Sequence, residues 1–114
     1  MAPMQDCVFC RVVAGGLPSR KVLETEDVLA FEDINPSTPI HVLVIPKAHI
    51  ASSLAEVEEK DKEILAKLQL AAGEIARKLK MTDFTYKTNS GKAAGQTVWH
   101  LHYHLQGGFE RGED

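Results

Sequence analysis

The stretch VWHLHYHL, residues 98–105, alternates apolar and imidazole side chains. A period of two belongs to a β-strand. Folded as a strand, it sends His100, His102 and His104 to one face. Trp99, Leu101, Tyr103 and Leu105 go to the other, where a core must receive them. The fold must therefore contain a sheet whose two sides differ in chemistry.

The rest of the chain supplies that sheet. HVLVIP, residues 41–46, is β-branched and nearly all apolar, which suits a central strand. KVLETED and VLAFEDI read as two strands joined by an acidic turn at Glu26-Asp27, and DFTYKTN as another. CVFCRVVAG reads as one or two turns of amphipathic helix, ended by Gly15-Gly16. From Glu58 to Lys80 the pattern is helical: Ile64, Leu68, Ala71, Ile75 and Leu79 recur every three or four residues, with Leu65 and Ala72 widening the stripe. Lys and Glu fill its other side, and no chemistry is assigned to it. The order is short helix, three strands, long helix, two strands. It predicts an α+β fold: a five-stranded antiparallel sheet with the helices on one face, the apolar side of 99–105 lying on the long one.

The 114 residues suit one domain, 1–114. A net charge of −3 provides no basic field for a nucleic-acid polymer, although a single nucleotide needs none. No apolar run reaches the ~18 residues of a membrane span. MAPMQDCVFC lacks the basic-then-apolar order of a secretory signal, so no membrane partner and a cytoplasmic location are expected. Met4 is an alternative start. Two cysteines in such a chain suit a reducing compartment, and the C-x-x-C spacing of Cys7 and Cys10 favours metal or redox chemistry over a structural bridge.

Three alternating imidazoles admit several roles. Filling a half-wet strand face is the plainest. A three-histidine metal site fits poorly, because His100 and His104 start about 13 Å apart along a strand. A relay fits better: the middle imidazole meets substrate while its neighbours and backbone carbonyls fix its tautomer. The preceding NSGKAAGQT adds Gly91 and Gly95 for close backbone approach. Asn89, Ser90, Gln96 and Thr97 can donate to phosphate oxygens. It is not a Walker A loop, since Gln96 follows Gly95. On its own, such a loop is equally a plain hairpin connection.

HLHYHLQ resembles the histidine triad motif, His-φ-His-φ-His-φ-φ with φ apolar. CVFCRVVAGGLPSRKVLETEDVLAFEDINPSTPIHVLVIPKAHI is similar to the N-terminal half of the Hint branch of that family, the histidine triad nucleotide-binding proteins. TNSGKAAGQTVWHLHYHLQGG is similar to its C-terminal half, and the long helix fits between. The resemblance implies the HIT fold, a homodimer, and a purine nucleoside monophosphate or phosphoramidate as ligand. It implies hydrolysis of adenosine phosphoramidates and related adenylates through a nucleotidyl-histidine intermediate. By position His102 is the nucleophile, His104 handles phosphate and leaving group, and His100 and His41 support the site. Asn89, Gly95 and Thr97 match positions at the α-phosphate and leaving group. Asp33 matches the acid that binds the ribose hydroxyls. Val8, Phe9, Val12, Phe31, Ile34 and Leu43 match the apolar lining of the base and ribose pocket; without the resemblance they read as core. His41 by itself reads as a structural histidine.

Catalysis is expected to need no cofactor. Some family members, bacterial ones particularly, hold structural zinc at positions that match Cys7, Cys10, His49 and His100. The alternative is two cysteines buried as small apolar groups. The sequence departs from the family pattern in three places. Thr97 stands where serine is common. Gln106 occupies a usually apolar position, which suggests a solvent-facing strand end. FERGED lacks the tryptophan- and proline-containing ending of many eukaryotic members, which leaves the leaving group open. The resulting expectation is a phosphoramidate hydrolase. The alternative is a purine-nucleotide-binding regulatory dimer with little turnover. Sister-branch activities on dinucleoside polyphosphates or in nucleotidyl transfer suit the short chain less.

Overall fold

The computed structural model describes residues 7–108, so Met4 and the FERGED tail lie outside the described residues. A short helix α1 (Val8–Val13) leads into strands β1 (Lys21–Glu24), β2 (Val28–Glu32) and β3 (Ile40–Pro46). The long helix α2 (Lys62–Lys78) follows, then β4 (Phe84–Lys87) and β5 (Tyr103–Gly107). All strand pairs are antiparallel, and the sheet order is β1-β2-β3-β5-β4. This is the expected α+β architecture of five strands, one long helix and one short one. The apolar HVLVIP strand takes the centre.

The helices do not share a face. Val28, Ala30, Val42 and Val44 pack with Leu68, Ala71 and Ile75 of α2 and with Leu101 and Leu105. On the other side Leu29, Phe31, Leu43 and Ile45 pack with Cys7, Phe9, Cys10 and Val12 of the α1 segment. The expectation of one helical face is corrected, and the reason lies in β2 and β3. Both strands are apolar at odd and even positions alike, so both of their faces need a cover.

Helix α2 starts at Lys62, after a 3-10 turn over Glu59–Asp61 in which Glu58 and Asp61 cap each other reciprocally. Its expected stripe is buried at Leu68, Ala71, Ala72 and Ile75, while Leu79 is at the C-cap and reaches solvent. The Tyr86 hydroxyl donates to the Leu68 carbonyl (2.7 Å) and ties β4 to the helix.

Strand β5 is shorter than the alternation predicts. It begins at Tyr103, and residues 98–100 form a bend. Trp99 is 47% exposed, so it does not pack on α2, whereas Leu101 and Leu105 are fully buried there as expected. The bend has local causes. The Leu101 N–H donates to the Ala51 carbonyl (2.9 Å), and the Thr88 hydroxyl donates to the His102 carbonyl (2.6 Å). The Gln96 amide donates to the carbonyls of Ser52 and Val98. Side chains and loop backbone take up the hydrogen bonds that a strand ladder would otherwise make.

Candidate active site and metal centre

The face covered by α1 holds all five histidines. His41 opens β3, His104 lies on β5 opposite Leu43, and His100 and His102 lie just before β5. His49 follows β3.

Backbone contacts assign their protons. The Ser37 N–H donates to His41 Nδ1 (3.1 Å), so that nitrogen carries a lone pair and Nε2 carries the proton. His41 Nε2–H then donates to His104 Nδ1 (2.9 Å). His104 therefore has its proton on Nε2. His102 has the opposite tautomer: its Nδ1–H donates to the His100 carbonyl (2.7 Å), which leaves the Nε2 lone pair unused by that bond. The His102 and His104 rings are 5.1 Å apart. An imidazole with an Nε2 lone pair and one with an Nε2–H donor are thus neighbours.

Burial favours the neutral form of both rings. Burial lowers the pKa of His102, against the Phe9 ring 5.0 Å away. Burial, then the neighbouring His102 and His41 rings, push His104 down to about 4, while Asp33 opposes them. Asp33 Oδ2 lies 3.4 Å from His41 Nε2, and its Oδ1 accepts from the Asn35 N–H (2.8 Å).

The other site residues distribute unevenly. Phe9, Val12, Phe31 and Leu43 form one buried cluster beside the histidines. Val8 is 38% exposed and Ile34 is 87% exposed, so Ile34 is not core; it lines an open cleft with Pro18, Ser19, Arg20, Glu32 and Asp33. Asn89 Nδ2 donates to the Ala94 carbonyl (2.8 Å) and so shapes its own loop. Gly95 adopts φ +98°, a left-handed conformation that suits glycine, and Thr97 is exposed. Gln96 is buried, and its amide donors are engaged by Ser52 and Val98 while its oxygen accepts from the Gly91 N–H (2.8 Å). Its side chain braces the loop in this structure and offers no donor to a phosphate. Gln106 is not solvent-facing as expected: it is buried and donates to the Ser37 hydroxyl (2.7 Å).

Ser37, Gln106, Thr88 and the Pro46 carbonyl are the positioning groups that reading the sequence alone passes over. Gln106 carried a signal, since it continues the alternation of His100, His102 and His104. Ser37 meets His41 through its backbone N–H and Pro46 meets His100 through its carbonyl, contacts that no side-chain pattern reveals.

His100 belongs to a second constellation. Its Nε2–H donates to the Pro46 carbonyl (2.8 Å), and burial pushes its pKa down to about 4. The Nδ1 lone pair faces Cys7 Sγ at 3.4 Å and Cys10 Sγ at 3.6 Å. His49 Nδ1 is 3.4 Å from Cys10 Sγ. The four donor atoms lie within 4.8 Å of one another. A tetrahedral zinc ion with ordinary bond lengths separates sulfur and nitrogen ligands by about 3.6 Å. The donor set and its spacing fit such an ion, and the Pro46 carbonyl orients the histidine as an outer partner does in metal sites. The cluster can hold a metal ion.

Comparison with known proteins gives the chain's family and fold. A family model described as the HIT domain matches residues 14–111. A HIT family hydrolase from Clostridium thermocellum is 45% identical, with 96% of each chain covered and a TM-score of 0.90. A histidine triad protein from Clostridium difficile is 39% identical over 95% of each chain, with a TM-score of 0.89. Protein HitA of Neisseria gonorrhoeae is 41% identical over 105 residues, 91% of this chain and 97% of that one.

Proposed function

Because this chain belongs to the histidine triad family and resembles its hydrolases, we propose that it cleaves the P–N bond of purine nucleoside phosphoramidates through a nucleotidyl-His102 intermediate. The observation that carries the reading is the paired tautomers: a His102 Nε2 lone pair beside a His104 Nε2–H. In this reading Asp33 holds the ribose and the Phe9, Phe31 and Leu43 wall meets the base. Asn89, Gly95 and Thr97 line the phosphate and leaving-group side. The protein acts as a cytoplasmic homodimer of one domain per chain.

The chemistry runs in two steps. A bound phosphate anion adds negative charge beside that of Asp33, so His104 takes up a proton on Nδ1 on binding, and the His41 Nε2–H that Nδ1 had accepted turns to Asp33 Oδ2, 3.4 Å away. Asp33, within 4.8 Å of both His41 and His104, balances that charge. His102 Nε2 attacks phosphorus, the P–N bond breaks, and His104 gives its Nε2 proton to the departing nitrogen. Water then attacks the phosphorus. Neutral His104 accepts the water proton, and His102 departs as a neutral imidazole.

Cys7, Cys10, His49 and His100 would hold a zinc ion, which would supply a structural cross-link between the α1 segment and the sheet. The chain's own contribution is positional, because the carbonyl of His100 holds the Nδ1 proton of His102.

Steady-state turnover of a fluorogenic adenosine phosphoramidate tests the assignment. His102→Ala is expected to lose activity on the order of 10³-fold or more. Equal rates would remove His102 as nucleophile. No turnover by the wild type, with AMP binding retained, would favour a nucleotide-binding regulatory dimer.

A further inference from the structure

The sheet order imposes a direction on any ligand lying across the triad. Asp33 follows β2, His41 opens β3, His104 lies on β5, and β4 forms the far edge. Neighbouring strands are about 4.8 Å apart, so the path from β2 to β4 spans about 14 Å. With the ribose at Asp33 and phosphorus at the His102–His104 pair, the leaving group extends toward β4. On that strand Lys87 pairs directly with His104 and projects on the same face.

Charge is divided along this path. Glu32 and Asp33 lie at the ribose end. From Phe84 to Gly108 the sequence contains no aspartate or glutamate, while it contains Lys87 and Lys92. Lys21, Lys47, Lys60, Lys62 and Lys67 each pair with a carboxylate. Among the described residues no carboxylate pairs with Lys87. Its charge also reaches the site, where it acts on His104.

We propose that Lys87 is a specificity-determining residue that receives an anionic group, carboxylate or phosphoryl, on the leaving amine of the substrate. The proposal rests on the phosphoramidase reading above and names the leaving-group class that reading leaves open.

The test uses three adenosine 5′-phosphoramidates, whose leaving amines are glycine, glycinamide and aminomethylphosphonate. The quantity read is the ratio of kcat/KM for glycine to that for glycinamide, which cancels effects common to both, including any on His104. Lys87→Met is expected to lower the ratio about three- to fivefold, the scale of an exposed charge pair. Lys87→Glu is expected to lower it further, and added salt to shrink both effects. A larger loss for aminomethylphosphonate than for glycine identifies a phosphoryl group as the better ligand; an equal or smaller loss identifies a carboxylate. A ratio unchanged in both variants, with the wild type active, overturns the role of Lys87 alone. A wild type that turns over none of the three substrates overturns the phosphoramidase reading and this inference with it.

Discussion

At the scale of single residues, the site depends on which nitrogen of each imidazole holds a proton. Ser37 N–H, His41 and His104 form a chain in which each bond dictates the next. His104 is held down to about 4 against 6.5 in its ordinary state. The folded protein therefore binds fewer protons than the unfolded chain between those two values. Stability contributed by neutral His104 is fully present above about pH 6.5 and is lost as the pH falls toward 4. The thermal midpoint is expected to fall over this window, and His104→Gln to flatten the fall. Thermal melts of both proteins at pH steps across the window check this. A variant as acid-sensitive as the wild type would show that His104 does not titrate in this way.

At the scale of elements, α1 is six residues long and too short to persist alone. Two kinds of contact fix it: the packing of Phe9 and Val12 on the sheet, and the thiols of Cys7 and Cys10. Cys7 caps the helix by accepting the Cys10 N–H (3.3 Å), and both sulfurs face His100. If the four ligands hold zinc, metal analysis of protein purified without chelator should find about one ion per chain. Cys10→Ser is expected to lose that ion and lower the thermal midpoint by several degrees. Folded wild-type protein free of metal would remove the zinc assignment. The C-x-x-C spacing pointed to metal or redox chemistry, but the convergence of Cys7 and Cys10 with His49 and His100 is tertiary. The histidines are 39 and 90 residues away from Cys10 in the chain.

At the scale of the whole molecule, the sheet is a partition. One side is a hydrocarbon core under α2, and the other carries the histidines beneath α1. Leu68 is fully buried in the first core and far from the chemistry of the second. Leu68→Ala is expected to destabilise the fold by about 2–5 kcal/mol. The His102–His104 pair should keep its kcat at temperatures where the variant stays folded. Chemical denaturation combined with turnover at low temperature checks this, and a parallel loss of kcat would mean that the two sides are coupled.

Much of this was legible in the chain because periodicity is a local property. The apolar HVLVIP run determined a central strand, the Leu68–Ile75 stripe determined a helix on a sheet, and alternation through His104 separated imidazoles from core. Those inferences need only the repeat of a backbone. Alternation misplaced Trp99, because Gln96, Thr88 and Ala51 hold the preceding backbone in a bend. The face taken by α1, the burial of Gln106 against Ser37 and the spacing of the four metal-type ligands were decided by tertiary structure. Each depends on groups distant in sequence satisfying one another's hydrogen bonds or covering one another's surface, and that requirement exists only once the chain has closed.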